Sequence, residues 1–151
     1  TKIPGLGDVS DIVCGDNATF FLKNDNSLWA TGSNDVGQLG DGTLISRNSP
    51  VKILNNVNAI SNFSNHTLIL RTDSTLWVTG FNGSGQIGIG STKKASVPVK
   101  LLDSVKSASA GATHSIIIKY DNTVWVTGWN RYGQLGLGDN MNRSVFTEIL
   151  F

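Results

Sequence analysis

The chain has 151 residues, a formal net charge of +1, 15% charged residues and 39% hydrophobic residues. That is enough chain to bury a sizeable core, and so balanced a charge argues against gripping nucleic acid or an anionic membrane by charge alone. A lone cysteine, Cys14, excludes an internal disulfide framework and a four-cysteine zinc site, and no run reaches the ~18 apolar residues of a spanning helix.

In chain order, a short strand near residues 3–6 precedes three units that align without gaps every 48 residues. The first unit has an apolar run Thr19–Leu22, a polar turn Lys23–Asn26, the segment SLWATGSNDVGQLGDG from Ser27, and a closing strand Val51–Leu54. The second opens with a short strand Val57–Ser61, then repeats the pattern: Thr67–Leu70, Arg71–Ser74, TLWVTGFNGSGQIGIG from Thr75, and Val99–Leu102. The third has Ser115–Ile118, Lys119–Asn122, TVWVTGWNRYGQLGLG from Thr123, and Thr147–Leu150. The turns carry Asn/Asp/Ser hairpin chemistry. The central runs are apolar without polar alternation, which predicts strands covered on both faces. Four short strands per unit and no helical periodicity predict an all-β protein with units at about 9–56, 57–104 and 105–151, residues 1–8 forming a surplus fourth strand.

Twelve of the 17 glycines sit at four repeated positions, so they serve backbone geometry rather than general flexibility. Trp29, Trp77 and Trp125 coincide between units, as do Gly32, Gly80 and Gly128, then Asn34, Asn82 and Asn130, then Gln38, Gln86 and Gln134. Identical chemistry in every unit is what a scaffold needs, and these positions are read as structural. Asp25, Asp73 and Asp121 read as turn residues. His66 and His114 precede the apolar runs, but no acidic or cysteine partner recurs beside them and Ala18 fills the third place, so they read as hydrogen-bonding groups and no metal is expected. No nucleophile, base and acid recur together, so neither catalysis nor a cofactor is expected.

The motif Leu-Trp-x-Thr-Gly-x-Asn-x-x-Gly-Gln-Leu-Gly resembles the repeat of the regulator of chromosome condensation family, with His66 and His114 matching its second recurrent element. The resemblance implies a β-propeller of four-stranded blades, usually seven, that binds partners through loops on one rim. Thr31, Thr79 and Thr127 stand where founding members often carry Trp. This Thr-Gly style is similar to bacterial members, including secreted inhibitors that bind β-lactamases.

A closing strand appears four times but the other three strands only three times, so three blades leave two sheet faces bare. The expectation is a partial propeller completed by further repeats of a longer chain or by self-association, two copies making six blades. A β-trefoil, which closes alone with three repeats, is the alternative fold.

Positions that vary between units point to partners. Phe81 and Trp129 follow the repeated glycine, and Arg131 and Tyr132 lie inside the third loop. Trp, Tyr and Arg are the types enriched at interface hot spots, so these four are the candidate contacts of a non-catalytic protein-interaction scaffold. Nucleotide exchange on a small GTPase, implied by the resemblance, and a purely structural self-assembling role are the alternatives. No nucleic-acid or membrane partner is expected. The N-terminus lacks a signal-peptide layout, yet a chain opening on Thr1 leaves cytoplasmic and secreted locations both open.

Overall fold

The computed structural model describes residues 6–150, and every regular element among them is a strand. The first sheet holds β1 (Val9–Cys14), β2 (Ala18–Lys23), β3 (Leu28–Gly32) and β4 (Arg47–Leu54). The second holds β5 (Val57–Asn62), β6 (His66–Arg71), β7 (Leu76–Gly80) and β8 (Ala95–Leu102), and the third β9 (Val105–Ala110), β10 (His114–Lys119), β11 (Val124–Gly128) and β12 (Arg143–Ile149). Each sheet is an antiparallel meander in chain order, and β1 adjoins β5 as β5 adjoins β9. These are three propeller blades set side by side, with β1, β5 and β9 innermost. The β-trefoil alternative is overturned: a trefoil pairs strands of different repeats around one barrel, whereas here each repeat keeps its own sheet. One isolated bridge, Ile89 to Val145, links two of them among the described residues.

The apolar runs behave as their lack of alternation predicts. On β6, Ile69 packs with Phe20, Leu22 and Leu28 of the first blade, while Leu68 and Leu70 pack with Val105 and Ile117 of the third. A strand between two neighbours buries both faces, so both parities are apolar. The hairpin turns depend on a left-handed residue, Asn26, Ser74 or Asn122, with φ of 59°, 64° and 65°. The Asp before it accepts the backbone N–H of Ser27, Thr75 or Thr123 at 2.9, 3.1 and 3.0 Å.

The closing strands are longer than the sequence suggests, starting at Arg47, Ala95 and Arg143. A bulge separates these first residues from the rest, so Gly32 pairs with Arg47, Gly80 with Ala95 and Gly128 with Arg143. The segment Arg47-Asn-Ser-Pro50 is largely polar and carries no strand periodicity of its own. Of the surplus strand expected within residues 1–8, residues 1–5 lie outside the described residues, and Leu6, Gly7 and Asp8 carry no strand.

Candidate protein-interaction site

The long loops after β3, β7 and β11 are built three times by one set of bonds. Asn34, Asn82 and Asn130 are fully buried and accept, through Oδ1, the backbone N–H of Leu39, Ile87 and Leu135 at 3.0, 3.0 and 2.9 Å. Their Nδ2 groups donate across the loop, to Asp41 and Thr43, to Ser91 and Lys93, and to Asp139. Gln38, Gln86 and Gln134 accept, through Oε1, the N–H of Val36, Ser84 and Tyr132 at 3.2, 2.9 and 3.0 Å. A loop with its amides satisfied by buried side chains holds one conformation. Gly32, Gly80 and Gly128 end the preceding strands with φ of 111°, 104° and 110°, where any side chain would strike the carbonyl of Asn17, Asn65 or Thr113.

The repeated tryptophans are committed to the frame. Trp29, Trp77 and Trp125 donate Nε1–H to Ser27, Thr75 and Thr123 at 3.0, 2.9 and 2.8 Å, and those hydroxyls donate to Asp25, Asp73 and Asp121. The hydroxyl bonds hold the three carboxyls below the ordinary Asp range. Lys23, Arg71 and Lys119 cover the three indole faces at 5.8, 5.3 and 4.9 Å.

On this frame the variable residues stand out. Tyr132 is 79% exposed and meets half-buried Trp129 edge to face, with centroids 5.3 Å apart. Both backbones are pinned, Tyr132 by Gln134 and Trp129 by its N–H bond to Thr113 O at 2.8 Å. Arg131 lies between them with an exposed side chain. Phe81 occupies the matching position on the adjacent blade, and its ring folds over Gly83 of its own loop. Phe63 is also exposed on this rim, at the β5–β6 turn beside Asn65, whose carbonyl accepts Phe81 N–H. Its only signal in the sequence is that it replaces Gly15 and Gly111 of the other units.

His66 faces a blade junction. Ser115 donates its hydroxyl proton to Gln86 O at 2.7 Å, so the 2.9 Å contact from His66 Nε2 is an N–H donating to Ser115 Oγ. Burial, with a smaller push from nearby His114, drops the His66 pKa to about 4, so the ring is neutral at physiological pH. The serine proton is committed and both groups are buried, so this pair is part of the blade junction. Where Ala18 replaces histidine in the first blade, Asn62 Nδ2 supplies the missing donor, bonding Thr67 Oγ1 at 2.9 Å while Thr67 donates to Gln38 O at 2.7 Å. Among the described residues, no three His, Cys, Asp or Glu side chains converge, and no helix is long and apolar enough to cross a membrane.

Comparison with known proteins agrees with this architecture. Two profiles of the regulator of chromosome condensation (RCC1) repeat match the chain, one at residues 9–38 and 105–134, the other at 25–70 and 73–118. No curated protein matches at the significance required. Among solved structures, yeast RCC1 (Prp20) bound to Kap60 superposes with a TM-score of 0.86 at 26% identity, covering 97% of this chain and 38% of that one. Prp20p from Saccharomyces cerevisiae, described with its binding to Gsp1p and histones, gives 0.85 at 28% identity over 97% and 39%. Human WBSCR16 gives 0.82 at 25% identity over 93% and 37%. The chain therefore spans less than two-fifths of the length of each of these proteins. Repeats in phase, three four-stranded blades and the profile matches lead to one conclusion: the chain belongs to the regulator of chromosome condensation repeat family.

Proposed function

We propose that the chain is a non-catalytic protein-interaction scaffold, with repeats at about 9–56, 57–104 and 105–151, that meets its partner through the rim carrying Phe81, Trp129, Arg131 and Tyr132. The observation that carries this reading is the Trp129–Tyr132 pair, an exposed tyrosine packed on a half-buried tryptophan, on a loop whose amides are satisfied internally. A loop already ordered loses little entropy on binding, and an aromatic pair beside an arginine has hot-spot composition. Further blades, from the same array or from a second copy, complete the ring around this rim.

The test replaces all four residues with Ala and compares captured proteins by quantitative mass spectrometry, followed by titration of the leading partner. Loss of capture with an unchanged thermal melt supports the reading; unchanged capture and affinity overturn it. A second reading, nucleotide exchange on a small GTPase, rests on the family membership. Accelerated release of labelled nucleotide from a GTPase panel would establish it.

A further inference from the structure

The two junctions inside the chain are built alike and filled unlike. At the first, Phe20 and Leu22 of one blade pack with Ile60 and Ile69 of the next, and Phe20 is fully buried. At the second, Leu68 and Leu70 pack with Ala108 and Ile117. Leu68 stands where the first junction has Phe20, and Ala108 where it has Ile60. On β5, Ser61 and Ala59 stand where β1 has Val13 and Asp11. At all four places the second junction holds the smaller side chain.

Interiors pack to near-crystalline density, so side chains this much smaller leave a hole unless the blades close on it. Polar contacts hold the blades apart: Ala110 N–H donates to Ser61 Oγ at 2.9 Å, and Ser115 and Thr127 bond the carbonyls of Gln86 and Gly85. A cavity of about 140 Å³ remains between β5 and β9. Buried Leu68 and Leu70 form its floor, half-buried Ala59 and Ala108 its walls, and exposed Lys106 and Ser107 its mouth. Its lining falls entirely within residues 58–108, so it is complete in this chain whatever blades adjoin the ends.

A cavity of about 150 Å³ with aliphatic walls takes a molecule the size of benzene, and the matched place at the first junction is filled by the ring of Phe20. Charge selects the rest of the ligand. No carboxylate lines the cavity, and Lys106 at its mouth makes no ion pair among the described residues. We propose that this cavity binds a small aromatic carboxylate, its ring against Leu68 and Leu70 and its carboxylate at the mouth beside Lys106. None of the four rim residues lines the cavity, so the fourfold Ala variant leaves it intact.

Phenylacetate titrated into the full chain with labelled Leu and Ile methyls tests it by NMR, with toluene and acetate as comparison probes. The expected result is a saturable shift of the Leu68 and Leu70 methyl resonances, with a Kd on the order of 1 mM for so few ligand atoms. Acetate, lacking the ring, gives no saturable shift. Ala108→Ile restores the side chain of the first junction, keeps or raises the melting temperature, and weakens phenylacetate at least about tenfold. Leu68→Phe fills the floor instead and serves where Ala108→Ile does not fold. Lys106→Gln weakens phenylacetate about threefold, the worth of one exposed charge pair, and leaves toluene unchanged. Absence of a saturable phenylacetate shift, a saturable response to acetate, or binding that survives the filling variants overturns the proposal. So does a Lys106→Gln variant that treats phenylacetate and toluene alike.

Discussion

The second and third blades carry nearly the same apolar pattern and live in different surroundings. Leu68 and Leu70 of the second blade are 1% and 6% exposed, against 36% and 38% for Ile116 and Ile118 at the matching places in the third. The loops follow suit. A Cβ on Gly85 would stand 2.5 Å from Arg143 O and 2.7 Å from Ser144 Cα, whereas the nearest atom to one on Gly133 would be 3.9 Å away. Burial in this fold is therefore a property of the junction rather than of the blade, as in other arrays whose stability is a sum of unit and interface terms.

That contrast can be broken by substitution. Leu68→Ala removes a side chain with both neighbours in place and lowers stability by about 3–4 kcal/mol, while Ile116→Ala loses about 1 kcal/mol or less in dilute protein. Urea unfolding of the two variants measures the gap.

The histidines give the next largest effect. His66 has its folded pKa lowered to about 4 by burial. The unfolded chain then binds the proton first as acid is added, so the stabilisation is complete above pH ~6.5 and fades as pH falls toward about 4, a loss on the order of 3 kcal/mol. His66→Gln abolishes that part of the acid dependence. Resonances of the two imidazoles followed by NMR separate them: burial also lowers His114, which is half-buried and keeps more access to water.

Gly85→Ala combines a left-handed backbone with a backbone clash and costs about 2 kcal/mol or more, and Gly133→Ala, at φ +74° in open space, costs about 1 kcal/mol. Thermal melts of the pair resolve this. The smallest effect belongs to Tyr132→Ala, which shifts stability by less than about 0.5 kcal/mol because the ring faces solvent. The same substitution weakens partner binding roughly tenfold or more in a titration.

Much of the frame was legible in the sequence because local chemistry decides it. The Asp-x-Ser/Thr-x-Trp spacing carries both the turn and the indole anchor within five residues, and the Asn and Gln of the loop bond amides five or two residues away. What was not legible lies between units. His66 and Ser115 are 49 residues apart, and Asn62 stepping into the place vacated by Ala18 is a substitution across strands that no periodicity announces. Thr79 and Thr127 read as a stylistic mark beside glycine, yet their hydroxyls clasp the neighbouring blade. Of the four candidate contacts, the sequence showed residue type and loop position; that Trp129 and Tyr132 touch while Phe81 turns onto Gly83 depends on rotamers.

The acceptors at each junction are mostly main-chain carbonyls, which every residue possesses whatever its side chain. A unit duplicated in tandem therefore meets its parent with bonding partners already in place, and needs no matched pair of later substitutions to fit. Recombination can lengthen, shorten or reorder such a chain while each new boundary stays sealed. The rim loops, which lie outside the boundary, are then free to diversify one unit at a time.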